Sequence, residues 1–365
     1  MTVVRVALPV PLRQHFDYLI DAAMQVQVGC RVLVPFGNRK LVGVVWQLDP
    51  NDSFDSNKLK PVVAVLDPAP VLPALLCQLL SFAADYYHYP LGEVLISALP
   101  ALLREGRNLA DYQPKAYQLS DNGKQLDAAA LKRSTKQLAL WQALLRHPLT
   151  ESALLQQHGR PTLKQLIDKQ LAEEIIVPPQ PFSAPHTAAK GLKLTAAQAM
   201  AVTAVTQAFG RFERLLLEGV TGSGKTEVYL QSIASLLSQQ QQVLVIVPEI
   251  GLTPQTLARF QARFDVPVLC WHSALTDSER LHCWLQASTG AAAIIIGTRS
   301  ALFLPFWRLG LIIIDEEHDQ SLKQQDGFRY HARDLAIKRA ALHHCPILLG
   351  SATPSLESLH NALNK

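Results

Sequence analysis

The chain has 365 residues, 48% of them hydrophobic, with 34 basic against 30 acidic side chains and a formal net charge of +4. That length and apolar share suit two or three domains, each able to build its own core. The five cysteines, Cys30, Cys77, Cys270, Cys283 and Cys345, include no CxxC pair, which excludes zinc-ligand spacing and points to reduced thiols. No charged-then-apolar leader follows Met1, and no apolar run approaches the ~18 residues of a membrane span, so a soluble, cytoplasmic protein without a membrane partner is expected.

Residues 1–105 read first as strands. Val3 to Leu8, Phe16 to Ile20, Arg31 to Phe36, Leu41 to Leu48 and Pro61 to Leu66 carry β-branched or aromatic residues between Gly, Pro and Asp breaks. Val71 to Tyr89 comes next as a helix, with Leu72, Leu75, Leu76, Leu79, Leu80 and Ala83 at helical spacing, and is expected to cover one side of the β domain. Arg104 to Ala116 lacks a sustained apolar period and reads as a linker.

A second domain spans 116–178. Leu131 to Leu145 puts Leu138, Trp141, Leu144 and Leu145 on one face, with Ser134 as a cap; Thr150 caps a short second helix, and Pro161 opens a third. That third helix turns Leu163, Leu166, Ile167 and Leu171 inward. Three short helices followed by the apolar Ile175 to Val177 resemble a winged helix, whose third helix often enters the major groove. Arg160, Lys164 and Lys169 are the candidate phosphate contacts there. Residues 106–190 also hold 11 basic against 7 acidic groups, a weak pointer to nucleic acid. Pro178 to Ala189, with four prolines, reads as a semi-rigid tether that permits movement between the binding domains and residues 190–365.

From residue 190 to 365 the rhythm changes. The apolar segments Leu215 to Leu217, Val243 to Val247, Val266 to Leu269, Ala292 to Ile296, Leu311 to Ile314 and Pro346 to Leu349 alternate with helical stretches, the pattern of a parallel sheet wrapped by helices. Gly219-Val220-Thr221-Gly222-Ser223-Gly224-Lys225-Thr226 fits GxxxxGK[ST] between a strand and a helix. Its glycines let backbone N–H groups curl around phosphates, Lys225 reaches the terminal phosphates and the Thr226 hydroxyl binds magnesium. Asp315-Glu316-Glu317-His318 ends the buried strand Leu311 to Ile314, at the sheet edge where ligands of open α/β sheets sit. We assign Asp315 to magnesium and Glu316 to the attacking water. Lys225, Asp315 and Glu316 are then the catalytic set, and ATP with magnesium the expected ligands.

Four further segments carry a family resemblance. Thr195-Ala196-Ala197-Gln198 resembles an adenine-reading Q element, with Gln198 its reader; Pro248 to Gln255 resembles a DNA-contacting segment, and Gly297 to Phe303 and Gly350 to Pro354 complete the set. Together with the acidic box they resemble superfamily 2 helicases, and among these the bacterial primosomal replication-restart DNA helicases. The resemblance implies a multidomain α+β and α/β fold: a small β-rich DNA-binding domain, a winged-helix domain, and a RecA-like parallel-sheet P-loop ATPase lobe. It implies a second lobe with an arginine finger and a zinc-binding region with paired cysteines, neither present in these 365 residues. Zinc ligands are therefore expected outside this sequence, and the chain alone is expected to bind ATP weakly and turn over little.

The same resemblance implies that residues 1–105 bind the 3' end of a DNA strand through Phe16, Asp17, Gly37 and Lys60. Phe16 can pack on the terminal base, Asp17 can accept from a free 3'-hydroxyl and repel a continuing phosphate, Gly37 allows close backbone approach and Lys60 meets a phosphate. For the lobe it implies DNA contact or coupling through Arg299, Phe328, Arg329, Tyr330, Ser351 and Thr353, with backbone contacts at Thr253 to Gln255 and Gly297 to Phe303. Phe328 and Tyr330 are candidates for base stacking. His318 is a candidate relay between nucleotide and DNA, whereas His272 reads as structural.

The function expected is an ATP-dependent 3'-to-5' DNA helicase that recognises stalled or repaired forks and initiates primosome assembly. Forked and single-stranded DNA, single-strand-binding protein and primosome proteins are the implied partners. The rival reading is a fork-binding scaffold whose nucleotide site is regulatory. A metabolic P-loop kinase is disfavoured, since the segments at 297–303 and 350–354 have no role in phosphorylating a small molecule.

Overall fold

The computed structural model describes residues 2–21, 23–50, 59–184 and 191–364. Strands β1 (Thr2–Ala7), β2 (Phe16–Ile20), β3 (Arg31–Phe36), β4 (Arg39–Leu48) and β5 (Ala64–Val65) form a sheet in the order β2-β1-β4-β3-β5, with every pairing antiparallel. Their β-branched residues Val4, Val6, Val32, Val34 and Val45 point into one core. Leu19 N–H donates to the Lys60 carbonyl at 3.0 Å and Val62 N–H to the Leu19 carbonyl at 2.8 Å, so the segment entering β5 returns to β2 and closes the sheet into a small barrel.

Helices α1 (Ala74–Tyr86), α2 (Leu91–Ser97) and α3 (Ala101–Arg104) come next, each with a proline at its N-cap: Pro73, Pro90 and Pro100. The expected helix from Val71 to Tyr89 is shorter because His88 takes a left-handed φ of 51°, and Pro90 has no N–H with which to continue. Covering of the barrel falls to α2: a Cβ on Gly92 would collide with the backbone of Leu8, so only glycine lets that helix sit so close. Arg31 fastens the barrel to α3. Its guanidinium pairs with Asp67 at 2.6 Å and donates to the Leu103 carbonyl in the interior, and to the Arg107 carbonyl at its edge.

Residues 109–179 form a compact unit of their own. Strand β6 (Lys115–Leu119), helices α4 (Asp121–Gln125) and α5 (Thr135–Arg146), strand β7 (Leu149–Thr150), helices α6 (Glu151–Gln157) and α7 (Arg160–Asp168) and strand β8 (Ala172–Ile176) build it, with sheet order β7-β6-β8. The central strand β6 therefore comes from ahead of the three main helices. Trp141, Leu144, Leu154, Leu163, Leu166 and Leu171 fill the core. Leu145 and Ile167, expected inside, are instead 53% and 38% exposed; each lies at the margin of its helix's apolar stripe, where periodicity alone does not fix the side. Ser134 stands at the N-cap of α5 without a side-chain cap bond, while Thr150 caps α6 by accepting from Ala153 N–H.

Residues 1–108 and 180–365 make the other compact unit. Its second part contains α8 (Ala196–Gln207), β9 (Arg214–Glu218), α9 (Lys225–Leu237), β10 (Gln242–Ile246), α10 (Pro254–Arg263), β11 (Val268–Trp271), α11 (Asp277–Thr289), β12 (Ile294–Gly297), β13 (Leu309–Asp315), α12 (Ala332–His343), β14 (Ile347–Ser351) and α13 (Leu356–Leu363). The six strands run parallel in the order β11-β12-β10-β13-β14-β9. β10, β12 and the Leu309–Ile314 part of β13 are wholly buried, as their continuous apolar sequences predict. This is the RecA-like lobe.

The tether from Pro178 to Ala189 behaves differently from the expectation. Residues 185–189 lie outside the described residues, but Phe182 is buried in the lobe's core and bonds through its N–H to the Gly290 carbonyl at 2.9 Å. The barrel is likewise docked on the lobe. Trp284 Nε1 donates to the Ala98 carbonyl at 3.2 Å, His331 N–H donates to the Tyr87 hydroxyl at 3.0 Å, and α1 packs along α12. Among the described residues no helix is long and apolar enough to cross a membrane.

Candidate functional site

The phosphate loop joins β9 to α9. Gly222 and Gly224 take φ of 81° and 84°, which lets the loop curl, and Gly222 has open space beside it. The first-turn amides of α9 have no intrahelical acceptor and make the helix start a natural anion seat. A cleft of about 700 Å³ opens there, lined by Gly222, Lys225, Thr226, Asp315, Glu316 and Arg263 among others. Lys225 Nζ donates to the Gly219 carbonyl at 2.8 Å and lies 3.5 Å from Glu316 Oε1. Gln198 completes a capping box with Thr195 and donates from Nε2 to the Ser223 carbonyl at 2.9 Å, so α8 is tied to the loop.

Asp315 ends β13 at the floor of this cleft. Burial pushes its carboxyl above the usual range, with the Glu316 charge adding to the rise and the Tyr229 hydroxyl and Lys225 opposing it. Tyr229 donates to Asp315 Oδ1 at 2.9 Å from the buried face of α9, and burial followed by the Asp315 charge raises its phenol in turn. A Cβ on Gly350 would collide with the Tyr229 hydroxyl, so β14 needs glycine for this bond to exist. Sequence reasoning missed Tyr229. Its signal is the helical i+4 spacing from Lys225, on the face turned to the sheet. Arg259 and Arg263, on α10, also line the cleft and carried no motif.

These groups fit a nucleoside triphosphate with a hard divalent cation. An ammonium, a helix start, a hydroxyl and a carboxylate converge, and oxygen donors suit magnesium. Zinc does not fit: the cysteines are separate and free, and among the described residues no group of three or more His, Cys, Asp or Glu is placed to hold a metal ion.

The acidic box continues into a hydrogen-bonded network. Glu316 adopts φ of 49°, an uncommon left-handed position for a non-glycine residue that cantilevers its carboxylate toward Lys225. His318 Nδ1 bonds the Ser351 hydroxyl at 2.7 Å and its Nε2 lies 3.4 Å from the Thr353 hydroxyl. Gly219 N–H donates to the Ser351 carbonyl at 3.1 Å. Phosphate loop, acidic box and the 350–354 segment are thus wired together. Glu317 turns the other way, buried, where it accepts from Ser355 N–H at 2.6 Å, Ser358 Oγ at 2.9 Å and Arg333 at 3.0 Å. Burial raises its carboxyl, and these donors outweigh burial and hold it below the usual range. Its place is structural, locking α12 and α13 to the box.

Arg299 donates to Gln324 Oε1 at 2.6 Å and the Ser321 carbonyl at 3.0 Å, and lies 3.7 Å from Glu249. It joins the 297–303 segment, the loop after the acidic box and the 248–255 segment, where Thr253 caps α10. In that loop Phe328 and Tyr330, expected to stack bases, are only 8% and 5% exposed. They pack with Tyr87, Tyr89 and Phe303 in one aromatic cluster, ring centroids 4.9–6.2 Å apart. The composition of a base-stacking platform is also that of an aromatic core, and here the barrel's helix end supplies the missing rings. Arg329 remains exposed, and His272 lies just after β11, half-buried.

In the barrel, Phe16 packs edge-on against Phe36 at 5.2 Å, next to Gly37, which has φ of 58° and open space above it. Asp17 is not a lone carboxylate. It faces Arg5 directly across the β1–β2 ladder, and Arg5 Nε and Nη2 meet its two oxygens at 2.9 and 3.2 Å. The pair offsets the simple repulsion of phosphate expected from Asp17; selection of a hydroxyl then rests on the remaining lone pairs. Lys60 is exposed, its carbonyl held by Leu19. In the 109–179 unit Arg160 pairs with Glu151 at 3.2 Å and Lys169 donates to Gln137 at 2.8 Å, while Lys164 is exposed.

Residues 5–100 match the PriA 3'DNA-binding domain (3'BD) and residues 195–362 the DEAD/DEAH box helicase domain. The chain is 44% identical to the replication restart protein PriA of Haemophilus influenzae, across 100% of this chain and 51% of that protein. It is 37% identical to that of Chlamydia pneumoniae (97% of this chain, 48% of that one) and 33% identical to that of Bacillus subtilis (95% and 52%). The chain spans about half the length of the curated relatives it matches. The chain belongs to the PriA family of replication restart proteins.

Proposed function

We propose that this chain carries the end-recognition and ATP-binding parts of a 3'-to-5' DNA helicase that recognises stalled or repaired forks and begins primosome assembly. The observation that supports it most is the bonding of Gly219 to Ser351 and of Ser351 to His318, which makes the phosphate loop answer to segments outside the nucleotide cleft. When bound, magnesium ATP supplies a phosphoanhydride to be split and a divalent charge that steadies the transferred group. Lys225 and the start of α9 bind the terminal phosphates. Thr226 and Asp315 hold the cation, with Tyr229 fixing the carboxylate's orientation. Glu316 orients the attacking water, its approach set by the strained backbone at that residue. His318, Ser351 and Thr353 relay between this centre and the DNA-contacting segments around Arg299.

The barrel takes a strand's 3' end, with Phe16 under the terminal base, Asp17 accepting from the hydroxyl, and Gly37 and Lys60 beside the backbone. Forked DNA, single-strand-binding protein and primosome proteins are the partners this role requires, in the cytoplasm. Binding to two forks, one with a leading-strand 3'-hydroxyl and one with a 3'-phosphate, tests it. Preference for the hydroxyl that disappears in Asp17→Ala is expected. Equal binding to both by the unmutated chain would overturn end recognition.

A further inference from the structure

Beside the barrel lies a second cavity, of about 610 Å³, walled by Arg13, His15, Trp46, Asp85, His88 and Tyr89 among its lining residues. It includes none of the four end-pocket residues, although His15 is the chain neighbour of Phe16. Two backbone irregularities equip it. In the β1–β4 ladder Arg5 faces Gln47 and Val6 faces Val45, which leaves Trp46 as the extra residue of a β-bulge, a device that re-aims a side chain. At the end of α1, His88 occupies a left-handed position that glycine or asparagine usually fills.

The chemistry of the wall is that of a nucleotide site. Arg13, His15 and His88 offer donors to a phosphate, the Trp46 and Tyr89 rings offer faces to a base, and Asp85 accepts from a base or sugar N–H or O–H. Among the described residues the side chains of Arg13, His15, Trp46 and Asp85 make no hydrogen bond or ion pair with the protein. One guanidinium and two imidazoles stand with a single carboxylate along the wall, donors for a phosphate beside an acceptor for a base or sugar.

We infer that this cavity binds an unpaired nucleotide of single-stranded DNA, as a second DNA site apart from the 3'-end pocket. The inference rests on the DNA-binding reading above but not on end recognition. Tyr89 also packs on Phe328 of the lobe at 5.4 Å, so the ring that a bound base meets is in contact with the loop just after the acidic box.

The 365-residue chain, titrated with 5'-labelled oligothymidylates ending in a 3'-hydroxyl or a 3'-phosphate and followed by anisotropy, tests the site. Arg13→Ala and Trp46→Ala are each expected to weaken both oligonucleotides roughly tenfold, the scale of one lost stacking or phosphate contact, without changing their ratio. Trp46→Phe should restore most of the affinity, and Asp17→Ala should change the ratio instead. Unchanged affinity in both alanine variants would overturn the site, even where hydroxyl preference persists. Loss of hydroxyl preference with the Arg13 and Trp46 effects intact would leave this site standing and remove end recognition. Photocrosslinking of the unmutated chain to an internal 5-iododeoxyuridine gives a readout independent of folding. Crosslinks at Trp46 or Tyr89 support the site, and crosslinks confined to residues 180–365 overturn it.

Discussion

In the nucleotide cleft, Lys225 and Glu316 face each other at 3.5 Å with 10% and 33% of their side chains exposed, and neither charge is fully spent on the other. In the barrel, Arg31 and Asp67 meet at 2.6 Å with 0% and 1% exposed, and further guanidinium donors go to carbonyls. One pair is loosely held and partly solvated, ready for a ligand. The other is closed, and its removal leaves a buried charge behind. The contrast teaches that charge at the cleft serves binding at little gain to the fold, whereas charge in the barrel serves the fold.

The largest effect that would break this contrast concerns Lys225→Ala. Magnesium-ATP binding, followed with a fluorescent analogue, is expected to weaken about 100-fold, the scale of removing one preorganised charge from a phosphoryl clamp. The thermal midpoint should correspond to less than about 0.5 kcal/mol of change; a variant that unfolds would mean the cleft charge is structural after all. Asp67→Ala is the mirror experiment. Stranding Arg31 in the interior is expected to destabilise the unit formed by residues 1–108 and 180–365 by about 3–5 kcal/mol in a denaturant titration. A near-normal unfolding midpoint would show that the carbonyls of Leu103 and Arg107 suffice for Arg31.

Tyr229→Phe sharpens the comparison, since Tyr229 is buried like the barrel pair yet touches the cleft. Loss of its bond to Asp315 is expected to weaken magnesium dependence of nucleotide binding about tenfold, as for other groups that orient a ligand from behind. Unaltered magnesium titration would assign Tyr229 to packing alone. The smallest effect is one of pH. Burial, with the charges of Arg339 and His344, pushes the His343 imidazole down to about 3. The unfolded chain protonates this group below its ordinary value near 6.5 while the folded chain does not, so stability falls as pH drops below that value. Between pH 7 and 5 the midpoint of His343→Gln should fall less steeply than that of the unmutated chain; parallel slopes would contradict the half-buried, neutral imidazole.

Much of the lobe is legible residue by residue. The phosphate loop and acidic box are contiguous strings whose chemistry depends on local backbone, and continuous apolar runs announce buried parallel strands. The barrel's strands are equally plain from alternation and breaks. Legibility fails where the partner is distant. Arg5 sits opposite Asp17 through strand register, which composition does not encode. Phe328 and Tyr330 have the residue types of a stacking platform, yet Tyr87 and Tyr89, far back in the chain, bury them. Leu145 and Ile167 satisfy a helical period and still face water, because the period marks a stripe's centre better than its edges.

By itself, then, the sequence determined the elements, the phosphate-loop and acidic-box strings that contain Lys225, Asp315 and Glu316, and the family, since each rests on neighbours a few residues apart. Only the tertiary structure decided that barrel and lobe share one body across the intervening unit, that Tyr229 stands behind Asp315 with Gly350 making room, and that Trp46 and His88 open onto one cavity. The physical reason is the same in each case. Backbone preference and periodicity act over one or two turns, while burial and pairing depend on segments that meet only once the chain has folded.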